Sequence, residues 1–178
     1  MNHIRMIARS RQEKFWLGAL FIAALVSLIL DQTSKIWVES VFALHESKPV
    51  IPGFFSLTHV RNLGAAWSIL EGHIWLLLAV ACVMLAAMIF FFRYLTDGWK
   101  ERYFAMGLVI GGIFGNSIDR IWRGAVVDFF DFQFGSYHYP VFNIADCAIC
   151  VGIGIFLLSS FLRPEPEKKA EKSADHAG

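Results

Sequence analysis

The residues of this chain that are best placed to do chemistry are aspartates beside long apolar stretches. Asp31 and Asp119 each end an uncharged stretch, and Asp146 directly precedes another. A carboxyl group can act as a general acid or a general base. Two that lie close together share a proton, because both cannot ionise comfortably. Such a pair can activate a water molecule and protonate a leaving amine.

Two of these aspartates have a basic residue one helical turn further along the chain. Lys35 follows Asp31 at i+4, and Arg123 follows Asp119 at i+4, with Arg120 also adjacent. Residues at this spacing are neighbours on a helix, and the acid-then-base order is the favourable one. We therefore expect Asp31 and Lys35 to be structural rather than catalytic.

Asp128 and Asp146 are the acidic residues least committed to local ion pairs. No Lys or Arg lies between Arg123 and Arg163. Asp146 is expected in the first turn of a helix, where the helix dipole favours a carboxylate. We interpret the two aspartates as a candidate proton-sharing pair. The alternatives are that Asn143 and Asp146 form only a helix cap, and that Asp128 is an ordinary solvated acid in a loop.

The other residue types that carry chemistry form no recognisable constellation. The Cys-x-x-Cys motif at 147–150 has no second pair, which favours inert apolar thiols over a metal or redox site. The histidines outside the apolar stretches match no metal motif, so no metal is expected. A serine hydrolase using Ser34 or Ser68 beside Lys35 is an alternative. Asp31 would, however, keep Lys35 protonated and make it a poor base.

The composition narrows the class of protein. The chain has 178 residues, of which 56% are hydrophobic and 17% are charged. An ordinary soluble domain has about 25% charged residues and fewer apolar ones. A formal net charge of +1 offers no field for binding a nucleic acid, and three Cys make no disulfide framework. A disordered protein and a typical cytosolic enzyme are excluded as well, which leaves a small polytopic membrane protein.

The apolar stretches predict a membrane all-α bundle of four transmembrane helices with a small extracytoplasmic β-region. The predicted spans lie at about 15–33, 73–92, 103–121 and 144–162 of a single domain, 1–162, and the β-region at about 38–70. Within that region, 54–62 alternates polar and apolar residues as a strand does, and Pro49 and Pro52-Gly53 mark turns before it. The Pro-, Glu- and Lys-rich tail 163–178 is expected to be disordered.

The basic residues predict the orientation of the bundle. Most of the 16 Lys and Arg residues lie in the N-terminal segment, the segment after the second span and the C-terminal tail. These three segments are on the same side of a four-span protein, and basic loops stay in the cytoplasm. Both termini are therefore expected inside, with the aspartates at the outer ends of their spans.

Small residues recur at helical spacing on two of the predicted spans. Gly107, Gly111 and Gly115 follow one another at every fourth position, as do Ala148 and Gly152. Such stripes let helices approach closely. We predict that they pack the third span against the fourth, which would bring the intervening segment near Asp146.

Four blocks of residues, in order along the chain, carry a resemblance to a known family. The blocks are Asp31-Gln32-x-Ser34-Lys35, Asn62-x-Gly64-Ala65-Ala66-Trp67-Ser68, Gly111-Gly112-x-x-Gly115-Asn116-x-Ile118-Asp119-Arg120 continuing to Gly124-x-Val126-Val127-Asp128-Phe129, and Phe142-Asn143-x-Ala145-Asp146. In these blocks the chain resembles the lipoprotein signal peptidases (signal peptidase II), the aspartyl peptidases of the bacterial inner membrane. Trp67, where the family usually has Phe, and Ile113, where a small residue is common, depart from the pattern.

The resemblance implies a specific activity and location. Such enzymes remove the signal peptide from prolipoproteins, cutting before a cysteine that carries diacylglycerol, at the periplasmic side of the inner membrane. They need no metal or organic cofactor, act among membrane lipids, bind no nucleic acid and are blocked by globomycin. The matching catalytic residues are Asp128 and Asp146. The matching substrate-binding or site-supporting residues are Asp31, Lys35, Asn62, Gly64, Ala65, Asn116, Asp119, Arg120, Asn143 and Ala145.

Two other classes of function are open to a small polytopic membrane protein. A proton-coupled transporter would use the acids as a relay, but it predicts polar residues throughout the depth of the bilayer. Here the acids are concentrated at one end of the spans, which suits a site at the membrane surface. A non-enzymatic scaffold gives no reason for two aspartates without ion-pair partners.

Overall fold

A computed structural model describes residues 2–64 and 69–162, with side chains from residue 12 onward. The predicted tail 163–178 and the predicted site residue Ala65 lie outside the described residues. The elements are α1 (Asn2–Val41), β1 (Ser47–Ile51), β2 (Phe55–Asn62), α2 (Ile74–Phe90), α3 (Phe92–Thr96), α4 (Lys100–Trp122), β3 (Val126–Phe134), β4 (Tyr137–His138) and α5 (Ile144–Leu162). The protein is therefore mostly helical, with a small antiparallel sheet.

Helix α4 is the centre of the bundle and packs against both α1 and α5. Helices α4 and α5 lie close together because each has a glycine at the contact, where a larger side chain would collide with the other helix. A Cβ atom at Gly112 would lie 2.5 Å from the Ala145 carbonyl oxygen of α5, and one at Gly152 would lie 2.6 Å from the Ala105 carbonyl oxygen of α4. The predicted close packing of these two helices is present.

The partner of the main glycine stripe differs from the prediction. Gly107 and Gly111 pack against the backbone of α1 at Leu20 and Ala24, and Gly115 faces the Asp31 side chain. The stripe therefore seats α4 on α1, while Gly112 on the adjacent face seats it on α5. Periodicity identified a close-packing face, but it does not specify which helix covers that face.

Helix α1 continues well beyond the predicted end of the first span at 33. No Gly or Pro interrupts the segment that follows, and Asp31, Lys35, Val38 and Phe42 are all buried at a helical spacing. Val38 and Phe42 pack against Val127 and Phe129 of β3. This contact joins the helical bundle to the sheet.

The sheet has the order β1-β2-β3-β4 with antiparallel neighbours. The predicted strand is present as β2, and the predicted turn at Pro52-Gly53 connects β1 to β2, with Gly53 at φ +73°. Pro49 lies within β1 rather than in a turn. Strand β1 lies at the edge of the sheet, where proline is tolerated. Strand β3, which pairs Asp128 with Val60 of β2, was not predicted.

Two of the described helices are long and apolar enough to cross a membrane, Gln12–Val41 and Ile144–Leu162, and Ile74–Phe90 is apolar but shorter. Large apolar side chains point outward, such as Phe21 on α1, Trp75 on α2 and Phe161 on α5. The described part of α2 has no buried residue at all. An apolar exterior around a bundle is the arrangement expected of helices that contact lipid.

Candidate active site

An ion-paired cluster of Asp31, Lys35 and Asp119 lies fully buried where α1 meets α4. Lys35 Nζ is 2.8 Å from Asp31 Oδ2 and 2.8 Å from Asp119 Oδ2, and all three side chains have an exposed fraction of 0%. The i+4 pairing of Asp31 with Lys35 that the sequence indicates is present. The single ammonium group also joins two helices, which local spacing did not reveal.

The ion-paired cluster holds the ends of two further elements. Asp31 Oδ1 accepts a hydrogen bond from the Ala145 backbone N–H in the first turn of α5, at 2.9 Å. Asp119 Oδ2 accepts one from the Val127 N–H at the start of β3, at 3.2 Å. Since Asp128 follows Val127 and Asp146 follows Ala145, the cluster fixes the backbone beside both candidate catalytic residues.

Further polar side chains complete the partners of Asp119. Arg123 Nη1 lies 2.6 Å from Asp119 Oδ1, as the i+4 spacing predicts, and Gln32 Nε2 donates to the same oxygen at 3.0 Å. Arg123 Nε also pairs with Glu39 Oε2 at 2.9 Å. Gln32 and Glu39 were not predicted as site-supporting residues. Gln32 stood in the first sequence block, but the burial of Glu39 depends on the unexpected length of α1.

Asp128 lies on β3 with its carboxyl group held by two asparagine amides. Asn143 Nδ2 donates to Asp128 Oδ1 at 2.6 Å, and Asn62 Nδ2 donates to Asp128 Oδ2 at 3.0 Å. The residue is only 2% exposed. Burial, together with the nearby Asp146 carboxylate, raises the pKa of Asp128 from 3.8 to about 7. Asp128 is therefore a buried acid, not the solvated loop acid of the alternative interpretation.

Asp146 lies in the first turn of α5, next to its capping residue. Asn143 Oδ1 accepts a hydrogen bond from the Asp146 N–H at 3.0 Å, and Asp146 Oδ2 accepts one from the Asn143 N–H at 3.2 Å. This reciprocal pair is the capping arrangement that the Asn143–Asp146 spacing indicates. Asp146 Oδ1 also accepts a hydrogen bond from Asn116 Nδ2 of α4 at 2.8 Å. The helix cap and a chemical role for Asp146 are compatible.

Asn143 links the two carboxyl groups, which we call the carboxyl pair. Its side chain is fully buried and donates from Nδ2 to the Asp128 carboxyl group, while its backbone N–H donates to the Asp146 carboxyl group. Within residues 2–64 and 69–162, neither Asp128 nor Asp146 forms an ion pair. The carboxyl pair is thus surrounded by amides, which orient a carboxyl group in either protonation state without fixing its charge.

Arg120 lies beside the carboxyl pair and contacts the loop that follows β2. Its Nη2 donates to the Gly64 carbonyl oxygen at 2.8 Å and its Nη1 to the Asn116 carbonyl oxygen at 3.2 Å. Its Nε is buried and has no partner in the described structure. The structure therefore brings the described predicted site residues together at one end of the bundle, with Arg120 at the edge of the site.

An apolar groove of about 500 Å³ along α5 reaches Asp146 of the carboxyl pair. Its aromatic wall comes from the β3–β4 region and the segment before α5, and Asp146 lies among its lining residues. The aromatic residues are Phe132, Phe134, Tyr139 and Phe142. A polar site that opens onto such a groove suits a substrate with a large apolar part.

No group of three His, Cys, Asp or Glu side chains in the described parts of the chain is arranged to hold a metal ion. His59 is buried in the sheet, where its Nδ1 contacts the Phe42 carbonyl oxygen at 3.0 Å. The three cysteines are free thiols. The polar side chains around the carboxyl pair are amide and guanidinium groups.

Apolar helices, a small sheet and an amide-held carboxyl pair beside an apolar groove define a membrane protein with a site for acid–base chemistry. Comparison with known proteins identifies the family. The sequence model of the family described as "Signal peptidase (SPase) II" matches residues 23–162. The chain belongs to the signal peptidase II family, whose members cleave the signal peptides of prolipoproteins.

Named relatives and solved structures agree with this assignment. The lipoprotein signal peptidase of Bacillus pumilus is 40% identical over 152 residues, which are 84% of this chain and 97% of the relative. That of Pasteurella multocida is 42% identical over 167 residues, 90% of this chain and 99% of the relative. A bacterial membrane enzyme solved by the in meso method at 2.3 Å resolution superposes with a TM-score of 0.76 at 32% identity, covering 85% of this chain and 93% of that one.

Proposed function

We propose that this protein is an aspartic endopeptidase that removes the signal peptide from prolipoproteins, cutting immediately before a diacylglyceryl-modified cysteine. The observation that carries the proposal is the carboxyl pair. Asp128 and Asp146 are both held by Asn143 and have no ion-pair partner among the described residues. Membership of the signal peptidase II family supports the peptidase activity and the class of substrate.

The proposed reaction is the direct hydrolysis of an amide by water. One aspartate, as the carboxylate, takes a proton from water while the water oxygen attacks the scissile carbonyl carbon. The other aspartate, which is protonated, polarises the carbonyl oxygen. The C–N bond then breaks, and a proton from the pair reaches the departing amine. Catalysis by a positioned acid and base typically contributes about 10²–10⁴-fold to the rate.

The groove beside Asp146 supports a lipid-modified substrate. Its wall is almost wholly apolar, so it would favour acyl chains or the apolar part of a signal peptide over water. Asn62, which contacts Asp128, and Arg120 are proposed to orient the substrate backbone. Gly64, whose carbonyl oxygen accepts from Arg120, is proposed to position that guanidinium group.

The proposed topology has four spans formed by α1, α2, α4 and α5, with both termini in the cytoplasm of a bacterium. Helix α4 has charged residues near each end, and it is not one of the two described helices that are long and apolar enough by themselves to cross a membrane. Those at its C-terminal end, Asp119 and Arg120, have partners within the protein rather than in lipid. The carboxyl pair would then face the periplasmic side of the inner membrane, among membrane lipids.

Cleavage of a defined precursor tests this proposal. The purified protein, reconstituted in liposomes, is given a prolipoprotein whose lipobox cysteine carries diacylglycerol, and the products are identified by mass spectrometry. We expect one cut directly before the modified cysteine, no cut in the unmodified precursor, and inhibition by globomycin. Failure to cut the modified precursor, or equal cutting of both precursors, would contradict the proposal.

A further inference from the structure

The side-chain amide of Asn116 connects the ion-paired cluster to the carboxyl pair in one direction only. Lys35 Nζ donates a hydrogen bond to Asn116 Oδ1 at 3.0 Å. An ammonium group has donors and no acceptor, so the amide oxygen must face Lys35 and the amide nitrogen must face away. Asn116 Nδ2 then donates to Asp146 Oδ1 at 2.8 Å. The buried charge of Lys35 therefore determines that the amide nitrogen of Asn116, and not its oxygen, faces Asp146.

The same constraint extends to the asparagine that joins the pair. Asn143 Nδ2 donates to Asn116 Oδ1 at 3.2 Å as well as to Asp128 Oδ1. Its oxygen is then left to accept the Asp146 N–H at 3.0 Å. Both amides are thus fixed in orientation by Lys35, through contacts that are all buried or half-buried.

The two carboxyl groups have unequal surroundings. Asp146 is half-buried, lies in the first turn of α5, and accepts a backbone N–H as well as the Asn116 amide. These are donors and a dipole that stabilise a carboxylate. Asp128 is 2% exposed, lies on a strand and accepts only side-chain amides. Burial and the neighbouring Asp146 charge favour the neutral form of Asp128, and they outweigh its two amide donors and the charge of Lys35.

We propose that Lys35, acting through Asn116, orders the carboxyl pair so that Asp146 is the carboxylate that activates water and Asp128 is the acid that holds the proton. Lys35 is on this account a positioning residue, since it touches neither the substrate nor the reacting atoms. The inference deepens the proposed function and rests on it.

The other charged groups around the pair do not reverse this order. Helix α1 contributes Asp31 beside Lys35, and the two charges compensate each other at 2.8 Å. Helix α4 contributes Asp119, which is likewise paired with Lys35 at 2.8 Å. It also contributes Arg120, whose charge acts on both carboxyl groups, and more strongly on Asp146. On α5, the thiol of Cys147 is the titratable group next to Asp146, and on β2, Arg61 is engaged with Glu39 at 3.3 Å.

The proton balance follows from this order. Asp146 takes a proton from water as the C–O bond forms, and Asp128 gives its proton to the carbonyl oxygen. When the tetrahedral intermediate collapses, the proton on Asp146 passes to the departing nitrogen as the C–N bond breaks. A hydroxyl proton of the intermediate returns to Asp128. The products are a carboxylic acid and an amine, and the pair regains its starting state.

The experiment compares the pH dependence of kcat/KM in the wild type and in two matched variants. A bell-shaped profile is expected, with an acid limb for the carboxylate and an alkaline limb for the acid. Asn116→Leu removes a donor to Asp146, and Asn62→Leu removes a donor to Asp128. A hydrogen bond to a charged group is worth enough to move a limb by about one to two pH units.

We expect Asn116→Leu to move the acid limb to higher pH and Asn62→Leu to move the alkaline limb to higher pH. If the two variants move the opposite limbs, the roles of the aspartates are reversed and the inference is wrong. If activity falls in Asn116→Leu while neither limb moves, Asn116 is merely structural and the inference is also wrong. Asn116→Ser replaces Asn116→Leu if the latter does not fold, with the same expected shift of the acid limb.

The profile is recorded only after the wild type has been shown to cut the diacylglyceryl precursor. Absence of cleavage by the wild type would count against the proposed function. Displacement of the wrong limb in an active enzyme would count against the order of the pair alone. The two failures are therefore distinguishable.

Discussion

The ion-paired cluster and the carboxyl pair lie side by side and use the same kind of side chain in different ways. Asp31 and Asp119 share the ammonium group of Lys35, and all three side chains are excluded from solvent. Asp128 and Asp146 instead accept hydrogen bonds from amides. A cation fixes the charge of a carboxyl group, whereas an amide fixes its orientation and leaves its proton exchangeable. The comparison separates carboxylates that build the site from those that could react in it.

The largest effect that tests the comparison is expected from neutralising a member of the carboxyl pair. Asp128→Asn and Asp146→Asn should each lower the rate of precursor cleavage by at least about 100-fold, because the acid or the base is lost. Unfolding in detergent micelles checks that each variant still folds, because asparagine offers one acceptor oxygen where each aspartate uses two. Asp131→Asn is the matched control, because Asp131 lies on the same strand and accepts a hydrogen bond from Thr58 at 2.7 Å. A pair variant as active as Asp131→Asn would contradict the assignment.

The second effect is on stability and is expected from the ion-paired cluster. Lys35→Met leaves Asp31 and Asp119 without their shared cation, and loss of one partner of a buried ion pair costs about 3–5 kcal/mol. The measurement is unfolding in detergent micelles. Lys48→Met is the control, because Lys48 and Glu46 form a pair with side chains that are 54% and 36% exposed. Water screens such an exposed pair, so it contributes little to stability. Equal destabilisation by both substitutions would show that the cluster does not hold the fold.

The third effect comes from the glycine that lets the two helices close around the cluster. A Cβ atom at Gly115 would lie 2.5 Å from Asp31 Oδ2 and 3.3 Å from the Ala145 Cβ. Gly115→Ala should therefore destabilise the protein by about 1–3 kcal/mol, as overpacking does. It should also reduce cleavage, since Ala145 precedes Asp146. Gly154→Ala is the control, because nothing lies within 4 Å of a Cβ atom there. A neutral Gly115→Ala would refute the close approach.

The fourth test is a pH dependence of stability that belongs to the carboxyl pair. Because folding raises the pKa of Asp128 from 3.8 to about 7, the folded state binds this proton more tightly than the unfolded state. Its contribution to stability is present below pH 3.8 and is lost as the pH rises through about 7. In Asp128→Asn this decline should disappear, since the amide does not titrate. The measurement is the midpoint temperature of thermal unfolding at a series of pH values across this range. If the midpoint falls equally with pH in the wild type and in Asp128→Asn, the prediction is contradicted.

The sequence identified the carboxyl pair and one partner for each aspartate of the ion-paired cluster because these features depend on local spacing. The absence of Lys and Arg around Asp146 and the i+4 pairs at Lys35 and Arg123 can be read along the chain. The polar and apolar alternation that predicted β2 is likewise a local pattern along the chain.

Other features of the site depend on contacts between distant segments. Strand β3 is buried on both faces at its start, so Val126–Phe129 shows no polar and apolar alternation. The ion pair of Lys35 with Asp119 and the hydrogen bond from Asn143 to Asp128 join residues that only the packed bundle brings together. Periodicity could have revealed the length of α1, because Asp31, Lys35, Val38 and Phe42 continue one helical face.

The most direct test of the central claim uses a lipopeptide in which the scissile amide is replaced by a hydroxyethylene group. Its hydroxyl takes the place of the attacking water, between the two carboxyl groups. We expect the wild type to bind it at least about 100-fold more tightly than the matched analogue without the hydroxyl, as transition-state analogues do. This advantage should vanish in both Asp128→Asn and Asp146→Asn. Equal affinity of the wild type for the two lipopeptides, or an advantage that survives in either variant, would contradict the account.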